Sequence, residues 1–229
     1  MKRFCVITNR DKEDSNQKAL YIQEYLEQKG GRCCILENRR VISEGVLHYT
    51  EAEKIPEETE CVLVLGGDGT MIQAAIDLVH SRLPVLGINM GTVGFLTEVE
   101  PQNLERALDL MLGDRYTIEN RIMLRENSLT REGKRIGKAC YALNDVVVSK
   151  RGECRLITIK VYINDELADI YRADGLIIST PTGSTGYNLS AGGPVMVPDT
   201  EATVITPICA HSLNKRSLVV SARDRIVLE

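Results

Sequence analysis

The sequence predicts an α/β domain with a parallel, Rossmann-like sheet, followed by a mostly β, sandwich-like domain. Three observations lead there. Residues 1–115 alternate short apolar runs with segments of helical spacing. From Tyr116 onward helical periodicity fades and one strand-like run follows another. A glycine-flanked acid, Gly66-Gly67-Asp68-Gly69-Thr70, sits between a buried run and a helical stretch, at the strand end where open α/β sheets bind ligands. The expected domains are 1–115 and 116–229.

In order, the first half reads as a strand over Arg3 to Thr8, a helix over Ser15 to Lys29 with Ala19, Ile22, Tyr25 and Leu26 at helical spacing, and a strand over Arg32 to Leu36. Cys61 to Leu65 is a buried strand and Met71 to Val79 a mostly buried helix. Pro84 to Asn89 is another strand, running into the turn Asn89-Met-Gly-Thr-Val-Gly-Phe95. Pro101 to Gly113 closes this half as a helix, with Pro in its first turn and Gly as its stop. In the second half the strand runs are Tyr116 to Leu124, Ala139 to Ser149, Arg155 to Ile163, Leu167 to Arg172, Leu176 to Thr180, Ala202 to Cys209 and Ser217 to Ser221. Asn164-Asp165 and Arg131-Glu-Gly133 suit hairpin turns.

Composition narrows the function. With 229 residues, 43% of them hydrophobic, the chain can build a real core. It has 28 basic and 32 acidic residues without a block of like charge, so neither nucleic acid nor a membrane surface is an expected partner. No signal peptide or membrane span is read. Seven cysteines, without a Cys-x-x-Cys pair, read as reduced core residues and point to the cytoplasm. The three histidines are far apart, so a zinc site or a Cys/His catalytic pair has little support.

Four stretches carry the chemistry. Glycines around Asp68 leave the acid reachable by something as bulky as a nucleotide. The bland alternative, that Asp68 merely caps the helix, leaves the glycines unexplained. The turn from Asn89 lies at a neighbouring strand end. Asp174 to Pro194, rich in glycine, serine and threonine, reads as an exposed loop able to line a polar ligand, with Tyr187 as a stacking ring. Asn144-Asp145 is a turn pair at a strand entrance that also suits ribose hydroxyls. No Walker-type Gly-x-x-x-x-Gly-Lys-[Ser/Thr] occurs, so phosphate must be held otherwise, by backbone amides of the 66–70 and 91–94 turns, a helix amino terminus and a divalent cation.

Together these stretches resemble the bacterial NAD kinases, over nearly the whole chain and in the family's order and spacing. The resemblance implies transfer of a phosphoryl group from ATP or polyphosphate, with Mg²⁺, to the 2′-hydroxyl of the adenosine ribose of NAD, giving NADP. It implies Asp68 as the general base with Gly69 beside it, phosphate against Gly66, Gly67, Gly69 and Thr70, and ribose hydroxyls on Asn144 and Asp145. It further implies Asp174 at the nicotinamide end, Thr185, Gly186, Tyr187, Asn188, Leu189 and Ser190 wrapped round the dinucleotide, Phe95 near adenine, and Arg155 and Arg172 as further NAD contacts. A homo-oligomer, dimer or tetramer, through the β half is implied too. The chain departs from the family at Asp145, where Glu is commoner, at Gly186, where Ala is common, and after Glu229, where the family continues. A lipid kinase of the diacylglycerol or sphingosine type shares the first motif, but a greasy acceptor fits poorly with the polar 174–194 loop. A non-catalytic dinucleotide-binding protein is the alternative of another class.

Overall fold

The computed structural model describes residues 1–9, 13–38, 41–43, 46–91, 94–152, 155–212 and 215–229. They form two compact units, Met1–Ile118 and Glu119–Glu229.

The first unit runs β1 (Arg3–Asn9), α1 (Glu13–Gln28), β2 (Arg32–Asn38), a small hairpin of β3 (Val41–Ser43) and β4 (Val46–His48), β5 (Cys61–Gly66), α2 (Asp68–Asp77), β6 (Val85–Asn89) and α3 (Leu104–Leu112). The larger strands make one parallel sheet in the order β2-β1-β5-β6. Alternate residues feed opposite faces, and both faces are covered, as parallel sheets require. Phe4, Val6, Leu63, Leu65 and Ile88 pack with Ala19, Ile22 and Leu26 of α1 and with Leu104, Leu108 and Met111 of α3. Cys5, Ile7, Val62 and Val64 pack with Met71 and Ala74 of α2 and with Leu78 just beyond it. Strand order reverses between β1 and β5, which makes the carboxyl ends of these strands a switch point. Gly66 pairs with Asn89, so the turns leaving β5 and β6 start level with each other.

The second unit contains β7 (Leu124–Leu129), β8 (Arg135–Ala142), β9 (Asp145–Ser149), β10 (Ile157–Ile163), β11 (Glu166–Ala173), β12 (Gly175–Ser179), a 3-10 turn at Thr182–Thr185, the short α4 (Tyr187–Ser190), β13 (Ala202–Ile208), β14 (Leu218–Ser221) and β15 (Ile226–Leu228). An antiparallel sheet β14-β13-β12-β9 contributes Leu176, Ile178 and Ile205 to a core completed by Ile159, Val161 and Tyr171 of the sheet β11-β10-β15. The expected sandwich is therefore present. Asn164 and Asp165 both take positive φ, +49° and +72°, in the tight turn between β10 and β11, the backbone that two-residue hairpins favour.

Several boundaries differ from expectation. Residues 115–123 are irregular and the strand starts only at Leu124. The run Ala139 to Ser149 is two strands, because the chain leaves the β7-β8 hairpin at Leu143-Asn144 to join a different sheet. The helix after the glycine motif begins at Asp68, three residues earlier than periodicity suggests. Cys140 and Cys209 are exposed rather than in the core, and Cys154 lies outside the described residues. No helix among the described residues is long and apolar enough to cross a membrane.

Candidate active site

At the end of β5 the cap of α2 is Gly67, in an extended conformation with φ −110°, and no side chain completes the cap. Asp68 is thus the first helical residue, not the cap, and its carboxylate is free for other partners. Both oxygens find them on the neighbouring turn: the Phe95 N–H donates to Oδ2 at 2.8 Å and the Leu96 N–H to Oδ1 at 3.0 Å. The acid therefore pins the turn from β6 beside its own helix end. Of the amides expected to meet a phosphate in the 91–94 turn, the Gly91 N–H is turned inward and donates to Asn89 Oδ1. Thr92 and Val93 of that turn lie outside the described residues.

The glycines of the first motif divide the work. A Cβ on Gly66 would collide with the Thr70 side chain, so Thr70 packs back onto the strand end. Around Gly67 and Gly69 there is open space. None of the three takes positive φ, so close packing and access, not a left-handed backbone, explain them. The Thr70 and Met71 N–H groups donate to the Gly67 carbonyl, which leaves those of Asp68 and Gly69 without an acceptor within the helix, and with the helix dipole these suit an anion. The Phe95 ring is 80% exposed although its backbone is held. Asn89 Nδ2 and Thr97 Oγ1 are buried without a hydrogen-bond partner.

In the second unit the hydroxyl-rich segment is a braced structure rather than an exposed loop. Thr180 Oγ1 donates to the Leu143 carbonyl at 2.5 Å and accepts from the Gly183 N–H, while the Thr180 N–H donates to the Asn144 carbonyl. Gly183 lies so close to the Asn144 backbone that a Cβ there has no room. Ser184 donates to the Pro181 carbonyl and accepts from the Met196 N–H. Asn188 is fully buried: its Nδ2 donates to the carbonyls of Ser184 and Pro194, and its Oδ1 accepts from Thr206. Its side chain is thus committed inside the protein, whereas Gly186, Tyr187, Leu189 and Ser190 are exposed and Thr185 is half-buried. Beside this segment a cavity of about 590 Å³ is lined by Gly193, Pro194, Ser212, Lys215 and Arg216 among others.

Asn144 is held through its backbone, and its Oδ1 is buried with no partner. Asp145, next to it, pairs with Ser179 across the sheet, and burial pushes its carboxyl above the ordinary carboxylate range. Asp174 lies beyond the opposite end of β12, about 17 Å away along the strand at 3.3 Å per residue, since Gly175 pairs with Ser149 and Ser179 with Asp145. There Lys150 Nζ donates to Asp174 Oδ1 at 2.6 Å. Register puts Arg172 opposite Thr158, toward the same end as Asp174 and Arg155, and both arginines are exposed. The structure so brings Asn144, Asp145 and Thr182–Gly186 together at one end of β12, and Asp174, Arg172 and Arg155 toward the other. Lys150 and Thr180 escaped the sequence reading; nothing but a charge near a strand end marks the first, and the second was one hydroxyl among many.

An acid held at a sheet's switch point, in a chain whose β domain presents a braced polar segment, places the protein among nucleotide-dependent phosphotransferases. The ATP-NAD kinase N-terminal domain model matches residues 4–116 and the ATP-NAD kinase C-terminal domain model residues 143–229, and the chain belongs to this family. It is 44% identical to the NAD kinase of Lachnoclostridium phytofermentans, covering all of this chain and 79% of that protein. It is 42% identical to that of Lachnospira eligens, covering all of this chain and 78% of the relative. Among solved structures, an NAD kinase from Archaeoglobus fulgidus in complex with ATP superposes with a TM-score of 0.73 at 26% identity, over 99% of this chain and 81% of that one. Yeast NADH kinase complexed with NADH superposes with a TM-score of 0.79 at 22% identity, over 99% and 72%, a likeness of fold.

Proposed function

We propose that this chain transfers a phosphoryl group from ATP, or polyphosphate, to the 2′-hydroxyl of the adenosine ribose of NAD, with Asp68 as general base. The observation that carries the reading is the Asp68 carboxylate, fixed by two backbone amides and bordered by open space at Gly67 and Gly69. An ionised carboxylate accepts about four hydrogen bonds, so two amides leave room for a hydroxyl. The ribose O2′ forms its bond to the terminal phosphorus of the donor as the bond to the leaving phosphate breaks, and the hydroxyl proton passes to Asp68. Asn144 Oδ1, buried and unpartnered, is a ready acceptor for a ribose hydroxyl, and Asp145 lies beside it. Exposed Tyr187, Leu189 and Ser190 and the exposed Phe95 ring offer stacking and contact surface, while Asp174 with Lys150, Arg172 and Arg155 would take the other end of the dinucleotide.

Among the described residues no cluster of three or more His, Cys, Asp or Glu side chains could hold a metal by itself; Mg²⁺ would enter on the phosphates of the donor, which with water supply most of its ligands. The free cysteines support a reducing, cytoplasmic setting. Exposed Val147, Val148, Leu167 and Ile170 on β9 and β11 support homo-oligomerisation through the β unit.

The test is NADP formation with ATP and with polyphosphate, alongside NAD binding by calorimetry, for the parent and Asp68→Asn. The Asn variant should bind NAD within a few-fold of the parent and lose about 10²- to 10⁴-fold in kcat. A near-normal rate would overturn the base assignment. NAD binding by the parent with no NADP from either donor would replace the kinase reading with that of a dinucleotide-binding protein.

A further inference from the structure

We infer that Gly94 is a positioning residue for Asp68: the volume its missing side chain leaves is filled by the carboxylate, so residue 94 sets where the acid stands. A Cβ built on Gly94 would lie 2.7 Å from Asp68 Oδ2 and closer still to Cγ and Oδ1, where real Cβ atoms do not approach nearer than 3.0 Å. The demand is one of space. Asp68 cannot yield freely. Its backbone opens α2, and its two oxygens are tied to the amides of the next two residues after Gly94. Any carbon on residue 94 therefore pushes the carboxylate off the Phe95 and Leu96 N–H groups or pushes the turn off the acid. By contrast, a Cβ on Gly67 or Gly69, which flank Asp68 in sequence, would meet nothing within 4 Å. The fit that positions the acid comes from the turn 26 residues downstream, not from its own motif.

The inference rests on Asp68 being the base, and two measurements keep the two ideas apart. The first is a double-mutant cycle in thermal stability, which needs no activity. Gly94→Ala should lower Tm in the parent, and the same change in an Asp68→Ala background should cost much less, because the colliding atoms are gone. Should Gly94→Ala alone fail to fold, recovery of a folded protein in the Asp68→Ala, Gly94→Ala pair carries the same point. Equal losses in both backgrounds would overturn the coupling. The second is the split between binding and turnover: Gly94→Ala should reduce kcat about a hundredfold, the scale of a 1 Å misplacement, while KM and Kd for NAD move less than about threefold. Full kcat in folded Gly94→Ala would overturn the positioning role. If Asp68→Asn is active while the stability cycle shows coupling, the base assignment fails and the steric partnership stands.

Discussion

Burial and charge pull against each other at Asp145. Its carboxyl is raised by desolvation. A raised folded value means the native state holds its proton to higher pH than the unfolded chain does. The group's contribution is then neutral below the unfolded value, near 3.9, and becomes a growing penalty as pH rises through the folded value. Asp145→Asn should therefore raise Tm at pH 7, and the gain should shrink toward zero as the melting series is taken down to about pH 4. A gain that did not vary with pH would show that charge is not its source. The same substitution removes a candidate ribose contact, so its NAD affinity should fall as its stability rises. Neighbours at this scale show how far residue type alone informs. Tyr187 and Asn188 are adjacent, and both are natural ligand-binding residues, yet one is exposed and the other is sealed among backbone carbonyls. Only the four-residue helix that turns them apart explains it, and so short a helix has no periodicity to read.

Elements were legible where burial repeats. The parallel sheet and its helices follow from alternation covered on both faces, and α3 follows from the spacing of Leu104, Leu108 and Leu112, although the structure buries Met111 with the first two and Leu112 only partly. Elements that depend on distant partners were not. The division of residues 139–149 into two strands is set by Thr180 bonding the Leu143-Asn144 backbone, a contact across some 37 positions. The end of α2 shows the same dependence. Asp77 is its last residue, where the helix dipole disfavours an anion, and its side chain is wholly buried. Four donors hold it: the N–H groups of Tyr49 and Thr50 at 2.9 and 2.8 Å, Gln73 Nε2 at 2.9 Å, and His48 Nδ1 at 3.2 Å. The carboxylate thus fastens residues 48–50 to the helix. Asp77→Ala strands two backbone donors and should cost about 2–4 kcal/mol in urea unfolding. A loss under about 1 kcal/mol would mean that water replaces the carboxylate there.

At the scale of the molecule, each unit carries its own hydrophobic core, and the candidate residues are divided between them: Asp68, Phe95 and the glycine turns in the first, Asn144, Asp145 and the braced segment in the second. A ligand that binds only the folded state stabilises it by mass action, about 2.7 kcal/mol at a hundred times Kd. For a chain of 229 residues this amounts to about 5–10 °C in Tm. NAD should produce such a shift. Tyr187→Ala, at an exposed position, should leave the ligand-free Tm nearly unchanged and shrink the shift. An undiminished shift would remove Tyr187 from the binding surface. The segment that carries Tyr187 also bears on timing. Thr180, Ser184 and Asn188 have their hydrogen bonds made within the protein, so this surface is finished before a nucleotide arrives. Capture of NAD on it then needs no ordering phase: in rapid mixing, the observed association rate should rise linearly with NAD concentration and reach no plateau.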